Sequence, residues 1–195
     1  MITDPFPRAA PGQRQYLASD QLPALALPAD EPLRSLTGRL FDAIAGGERA
    51  DIAAVAADLL GAAAPAFRAV VPEIKILGVR PHKIAGGVCT YQLFGDYDPA
   101  SHRIRIWLKT AVREQVCAPR TFLATLLHEL AHHLDCTVLD LPESFHTRGF
   151  FGRVDDLYHH ALGTPAEERR RLAWVKSGPV WRIDWARTRA PGGPR

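Results

Sequence analysis

Residues 121 to 135 read Thr-Phe-Leu-Ala-Thr-Leu-Leu-His-Glu-Leu-Ala-His-His-Leu-Asp, and no other stretch limits the fold as tightly. Phe122, Leu123, Leu126, Leu127, Leu130 and Leu134 cover most of the azimuths of a helix, leaving almost no face for water. Such a helix belongs at the centre of a fold. Yet it carries histidines and carboxylates, which are seldom buried without a partner. His128 and His132, four residues apart, differ by about 40° in azimuth and reach toward one point. Glu129 stands on the shoulder of that face, placed to handle a water rather than to ligate. His-Glu-x-x-His on a buried helix therefore calls for a metal ion gripped by both imidazoles.

A catalytic zinc has three protein ligands and keeps a fourth position for water. Asp135, Glu143 and His146 are the downstream candidates. His146 is preferred, because a loop returning just ahead of the next helix can complete a three-sided site. Glu143 has reach from the same loop, and Asp135 is rotated about 60° from His132. Cys136, one turn past His132, is the weakest choice. A longer form of the motif, with Gly and His following the second histidine, is excluded by Asp135 and Val138.

The chain of 195 residues, 47% apolar and 23% charged, has the composition of one ordinary globular domain with a core of its own. No apolar run reaches the roughly 18 residues of a membrane span. The first residues lack a charged head followed by an apolar run, so a cytoplasmic location is expected. A net charge of +3 does not by itself demand nucleic acid, although the basic stretch from Arg169 to Arg195 leaves contact with DNA open. Cys89, Cys117 and Cys136 form neither a disulfide framework nor a paired metal knuckle, and are expected as free buried thiols.

Three regions are expected. Residues 1–32, rich in proline, form an arm; 33–165 hold the domain; 166–195 make a basic tail. Apolar spacing predicts helices over 33–45 and from Asp51 to Gly61, with a short helical piece after Pro65. Glu73 to Val79, Val88 to Phe94 and His102 to Leu108 read as strands. The second and third should pair as an antiparallel hairpin across the turn formers Gly95 to Ser101. Pro119 opens the His-Glu-x-x-His helix, and Arg148 to Leu162 forms another. A short helix is expected over Glu167 to Val175, and the Trp181–Trp185 segment packs back as a strand or stays loose.

In this order, Gly95-Asp96-Tyr97-Asp98-Pro99, Ile104-Arg105-Ile106, His128-Glu129-Leu130-Ala131-His132 and His146-Thr147-Arg148-Gly149-Phe150 resemble the SprT-like and WLM group of zincin metallopeptidases. The likeness covers about residues 50 to 162. It implies an α+β, zincin-like fold: a small, mostly antiparallel sheet of about three strands on the central helix. It also implies one Zn²⁺ per chain and a protein or peptide substrate. Thr147 departs from the glycine that commonly follows the third histidine in that group, and three scattered cysteines cannot build the zinc ribbon of several members.

The expected activity is that of a zinc-dependent metallopeptidase using a metal-activated water, with His128, His132 and His146 as ligands and Glu129 as general base. His102 to Leu108 is the expected edge for aligning substrate by strand addition. Tyr158, His133 and Arg148 are candidates for stabilising the oxyanion. His133 points away from the metal, and His159 and His160 are read as surface residues. The rival class is a zincin-fold binding or sensor module for protein or DNA with little turnover. A deformylase-like hydrolase lacks its upstream cysteine motif here.

Overall fold

The structure, a computed structural model, describes residues 1–27, 31–169 and 171–188. The parts of the arm and tail at residues 28–30, 170 and 189–195 lie outside the described residues. The architecture is α+β, with small, mostly antiparallel sheets.

Two helices, α2 (Glu31–Gly46) and α3 (Arg49–Ala66), form an antiparallel pair closed by Gly47, whose φ of 80° suits a residue without a Cβ. α3 runs on through Gly61, where the sequence predicted its end, and through Pro65 to Ala66, so no separate helical piece follows the proline. Leu59, Leu60, Ala63 and Ala64 are buried there, and their packing outweighs the one hydrogen bond that proline forfeits. The central sheet follows. Its order is β1 (Glu73–Val79), β5 (Arg103–Lys109), β4 (Gly95–Asp98), with β1 parallel and β4 antiparallel to β5. Ile104, Ile106 and Leu108 face the core, as the alternation predicted.

The predicted pairing of Val88–Phe94 with 102–108 is corrected. Val88–Gln92 (β3) instead pairs with His82–Ala85 (β2) across Gly86-Gly87, both at positive φ. β2 has all four residues exposed and no alternation, so nothing in its pattern marks it as a strand. Gly95–Asp98, composed of turn formers, is the true partner of β5. Its turn begins only at Pro99, where Asp98 accepts from the Ala100 amide at 3.0 Å and the Ser101 hydroxyl at 2.6 Å.

Helix α4 (Pro119–Thr137) packs against β4, β5, α2, α3 and the following helix α5 (Arg148–Ala161). Phe122, Leu123, Leu126, Leu127, Leu130 and Leu134 are all buried, which is the central position that an apolar circumference requires. Thr147 caps α5 by accepting from the Phe150 amide at 3.0 Å. No helix among the described residues is long and apolar enough to cross a membrane.

The proline-rich lead contains a helix, α1 (Ala10–Asp20), that sequence periodicity did not show. Pro11 pre-sets its first turn, but tertiary contacts hold it. Tyr16 is buried between Phe6 and Phe145, and Asp20 accepts from Arg148. The tail folds as a hairpin, β6 (Trp174–Ser177) and β7 (Val180–Ile183), with a single 3₁₀ turn at Ala166–Glu168 where a longer helix was expected. Ile2 bridges to Arg182, so the first residues lie beside this hairpin.

α1 comes close to α5 at Gly149, where a Cβ would collide with the Ser19 carbonyl oxygen. Gly149→Ala should lift α1 from α5 and cost about 1–3 kcal/mol, seen as a lower denaturant midpoint. An unchanged midpoint would mean that α1 is not docked there.

Candidate metal centre

The pitch of α4 sets two of the donors, and the loop entering α5 brings the third. His146 Nε2 lies 3.0 Å from His128 Nε2 and 3.2 Å from His132 Nε2, and the latter two are 3.2 Å apart. Among the described residues this is the one group of three His, Cys, Asp or Glu placed to hold an ion. In a regular tetrahedron with bonds of about 2.0–2.1 Å, neighbouring donors stand about 3.3–3.4 Å apart. The spacing fits such a donor set, and the group could bind a metal ion.

The outer ring nitrogens support that fit. His132 Nδ1 is 2.7 Å from Ser144 Oγ, which donates to Asp135 Oδ2 at 3.1 Å. A hydroxyl whose proton goes to a carboxylate accepts from the ring, so His132 carries its proton on Nδ1 and turns a lone pair inward. His146 Nδ1 faces Asp4 Oδ2 at 3.5 Å, and the same oxygen accepts from the His146 amide at 2.8 Å. Burial would raise the Asp4 carboxyl, but its hydrogen bonds and the charge of His146 prevail and lower it. Phe150 packs against His128 and His132, with ring centroids 5.0 and 4.5 Å away, while Phe151 stacks on His146 at 5.7 Å.

Burial pushes His128 down to about 3 and His132 well below its ordinary value, with the neighbouring histidines adding to both. These rings stay neutral, the form that ligates a metal. Glu129 is 6% exposed. Burial raises its carboxyl to about 8, and the Asp96 charge adds to this. The close packing of β4 makes room for it: a Cβ at Gly95 would lie 3.0 Å from Glu129 Oε1 and 2.7 Å from Thr125 Cγ2. An open cleft of about 910 Å³ runs past Glu129 and the three histidines, between β4 and the loop of residues 142–146.

The other candidates are placed as follows. Asp135 turns away from the histidine nitrogens and takes the Arg153 guanidinium on both oxygens at 2.8 Å. Burial raises Asp135, while Arg153 and Ser144 pull it back. Glu143 lines the cleft outside the three-nitrogen group, its amide donating to Gln15. Cys136 donates to the Pro142 carbonyl oxygen at 3.7 Å. Of the cysteines only Cys117 is buried; Cys89 and Cys136 are half-exposed.

His133 is wholly buried, bonded to the Val70 carbonyl oxygen at 2.7 Å and beside the Tyr97 hydroxyl at 3.0 Å. Arg148 is engaged by Asp20 and lies over the Trp181 ring. His160 is buried and His159 is half-buried near Asp155, so neither is the surface residue expected. Strand β5 cannot supply the aligning edge, since β1 and β4 flank it. Sequence reasoning missed Asp4, Ser144 and Arg153, and no spacing signal could have found them: Asp4 meets a histidine 142 residues away.

Compared with protein-family models, curated proteins and solved structures, the chain matches none.

Two outcomes follow from this geometry. Asp4→Asn should weaken metal binding about 10–100-fold in competition with a chelating dye, and unchanged affinity would remove Asp4 from the site. The second concerns metal-free protein. A carboxyl raised on folding costs stability as pH climbs from its unfolded value near 4.5 through about 8. In a chelator, Glu129→Gln should therefore be more stable than wild type at pH 8, by on the order of 2–4 kcal/mol. The gap should close toward pH 4.5 in thermal unfolding; a gap independent of pH would contradict the buried carboxyl.

Proposed function

We propose that the chain is a zinc-dependent metallopeptidase of zincin-like build, cutting peptides or unfolded proteins in the cytoplasm. The observation that carries this reading is the convergence of three imidazole nitrogens beside a buried glutamate at the floor of an open cleft. His128, His132 and His146 would hold the ion. When bound, it supplies a Lewis acid that polarises a carbonyl and lowers the pKa of water to about 7.

The chain's own groups do the rest. Beside a cation the Glu129 carboxyl returns toward its ionised form, accepts a proton from the attacking water and delivers it to the leaving amine. β4 is the outer strand of its sheet among the described residues and lines the cleft. It can therefore align an extended peptide by backbone hydrogen bonds. Tyr158, near His128 in an adjoining cavity, is the remaining candidate for the oxyanion, since His133 and Arg148 have other partners.

Purified protein should contain close to one zinc per chain. Glu129→Gln should retain it and lose hydrolysis of unfolded protein by about 10²–10⁴-fold, whereas His146→Ala should release zinc. Running the assay with and without single-stranded DNA tests stimulation by nucleic acid. Binding of substrate without Glu129-dependent cleavage would replace the peptidase with a binding module.

A further inference from the structure

A second cavity, of about 290 Å³, opens beside the metal centre. Its walls come from both sides of the fold: Ala124 of α4, Phe151, Val154 and Tyr158 of α5, and Leu172 and Trp185 of the tail. His128 lines it as well. Met1, Ala124 and His128 line this cavity and the cleft alike, so the two voids adjoin across these residues. The exposed side chains of Met1 and Trp185 stand on its rim.

The chemistry of the occupant follows from the walls. At roughly 30 Å³ per water the cavity has room for about ten molecules, but its lining offers them few hydrogen bonds. Asp155 and His159, which also line it, lie 3.7 Å from each other. Water held against such walls is readily displaced by an apolar group. A substrate side chain that enters past His128 leaves its own backbone in the cleft beside Glu129.

We propose that this cavity is the subsite for a large uncharged apolar side chain, such as leucine, methionine or phenylalanine, flanking the cleaved peptide bond. This rests on the hydrolytic reading above and adds its substrate class. Alanine at that position would leave the cavity largely unfilled. Pocket discrimination of one methylene is worth about tenfold or more, so leucine should be preferred over alanine by at least about tenfold.

Two measurements test this. Cleavage sites made by the zinc-loaded protein in a complex peptide mixture, mapped by mass spectrometry, should be enriched about tenfold or more for these residues on one side. Leu172→Trp, which fills the cavity from the tail, should shift the preference toward alanine and glycine while zinc content stays at one per chain. Trp185→Ala, which opens the rim, should reduce selectivity without reversing it. Glu129-dependent cleavage lacking any apolar preference, or an unchanged profile in both variants, would overturn the subsite and leave the peptidase standing.

The second measurement does not require activity. Ligand-observed NMR on Glu129→Gln protein should show N-acetyl-leucine amide and N-acetyl-phenylalanine amide competing for one site, N-acetyl-alanine amide binding at least about tenfold more weakly, and Leu172→Trp abolishing the contact. Absence of that discrimination overturns the proposal. Amide binding together with no cleavage by wild type would sink the peptidase reading and support the pocket's apolar selectivity. A concentration-dependent dimer dispersed by the amides would assign the cavity to a second copy of the chain and overturn the proposal.

Discussion

Three imidazole nitrogens within 3.0–3.2 Å of one another form a crowded arrangement that a cation among them would relieve. The surroundings of α4 are arranged to hold that unfavourable geometry. His132 is fixed from outside by Ser144 and Asp135, His146 by Asp4, and all three rings by Phe150 and Phe151. Histidines left to themselves in an apolar setting would rotate outward to water. Here the outer nitrogens of His132 and His146 face Ser144 and Asp4, and rotation would leave those partners unmatched in a low-dielectric interior. The surrounding contacts thus hold the three nitrogens together without an ion, as a preorganised donor set requires.

The same network ties the ends of the chain to the centre. Asp4 accepts from the His146 amide and its own amide donates back to the His146 carbonyl oxygen at 2.8 Å. Arg153 is almost wholly buried, reaching Asp135 on one side and the Ser19 carbonyl oxygen on the other. A buried ion pair of this kind adds little net stability over an apolar pair of the same size. Its bidentate geometry instead fixes where α5 and the 137–147 loop stand relative to α4. Because Ser144 depends on Asp135, and His132 on Ser144, the position of one of the three converging rings is linked to a helix in the first twenty residues.

Legibility in the sequence followed the range of the interactions involved. The core faces of α4 and β5 were readable because one-dimensional periodicity maps directly onto burial, with Ile104, Ile106 and Leu108 turned inward. His146 was found as the third nitrogen because a short loop after a helix has few places to return. By contrast, β4 is spelled in turn residues, and only its ladder with β5 and its close packing on α4 make it a strand. The pairing assigned to β3 went astray for the matching reason: four exposed residues at 82–85 carry no alternation. α1 has no apolar stripe, and its helicity is secured by Tyr16 and Asp20 meeting residues far along the chain.

The sequence by itself determined that a buried helix would carry two imidazoles and a carboxylate on adjoining faces, because helical pitch is a local property of the backbone. It also determined the alternating inner face of the central strand. Only the tertiary structure decided which groups steady the histidines, that β4 rather than β5 borders the cleft, and that the tail walls an apolar cavity beside His128. Each of those depends on contacts between segments distant in the chain, and contact geometry at that range has no period for a sequence to display.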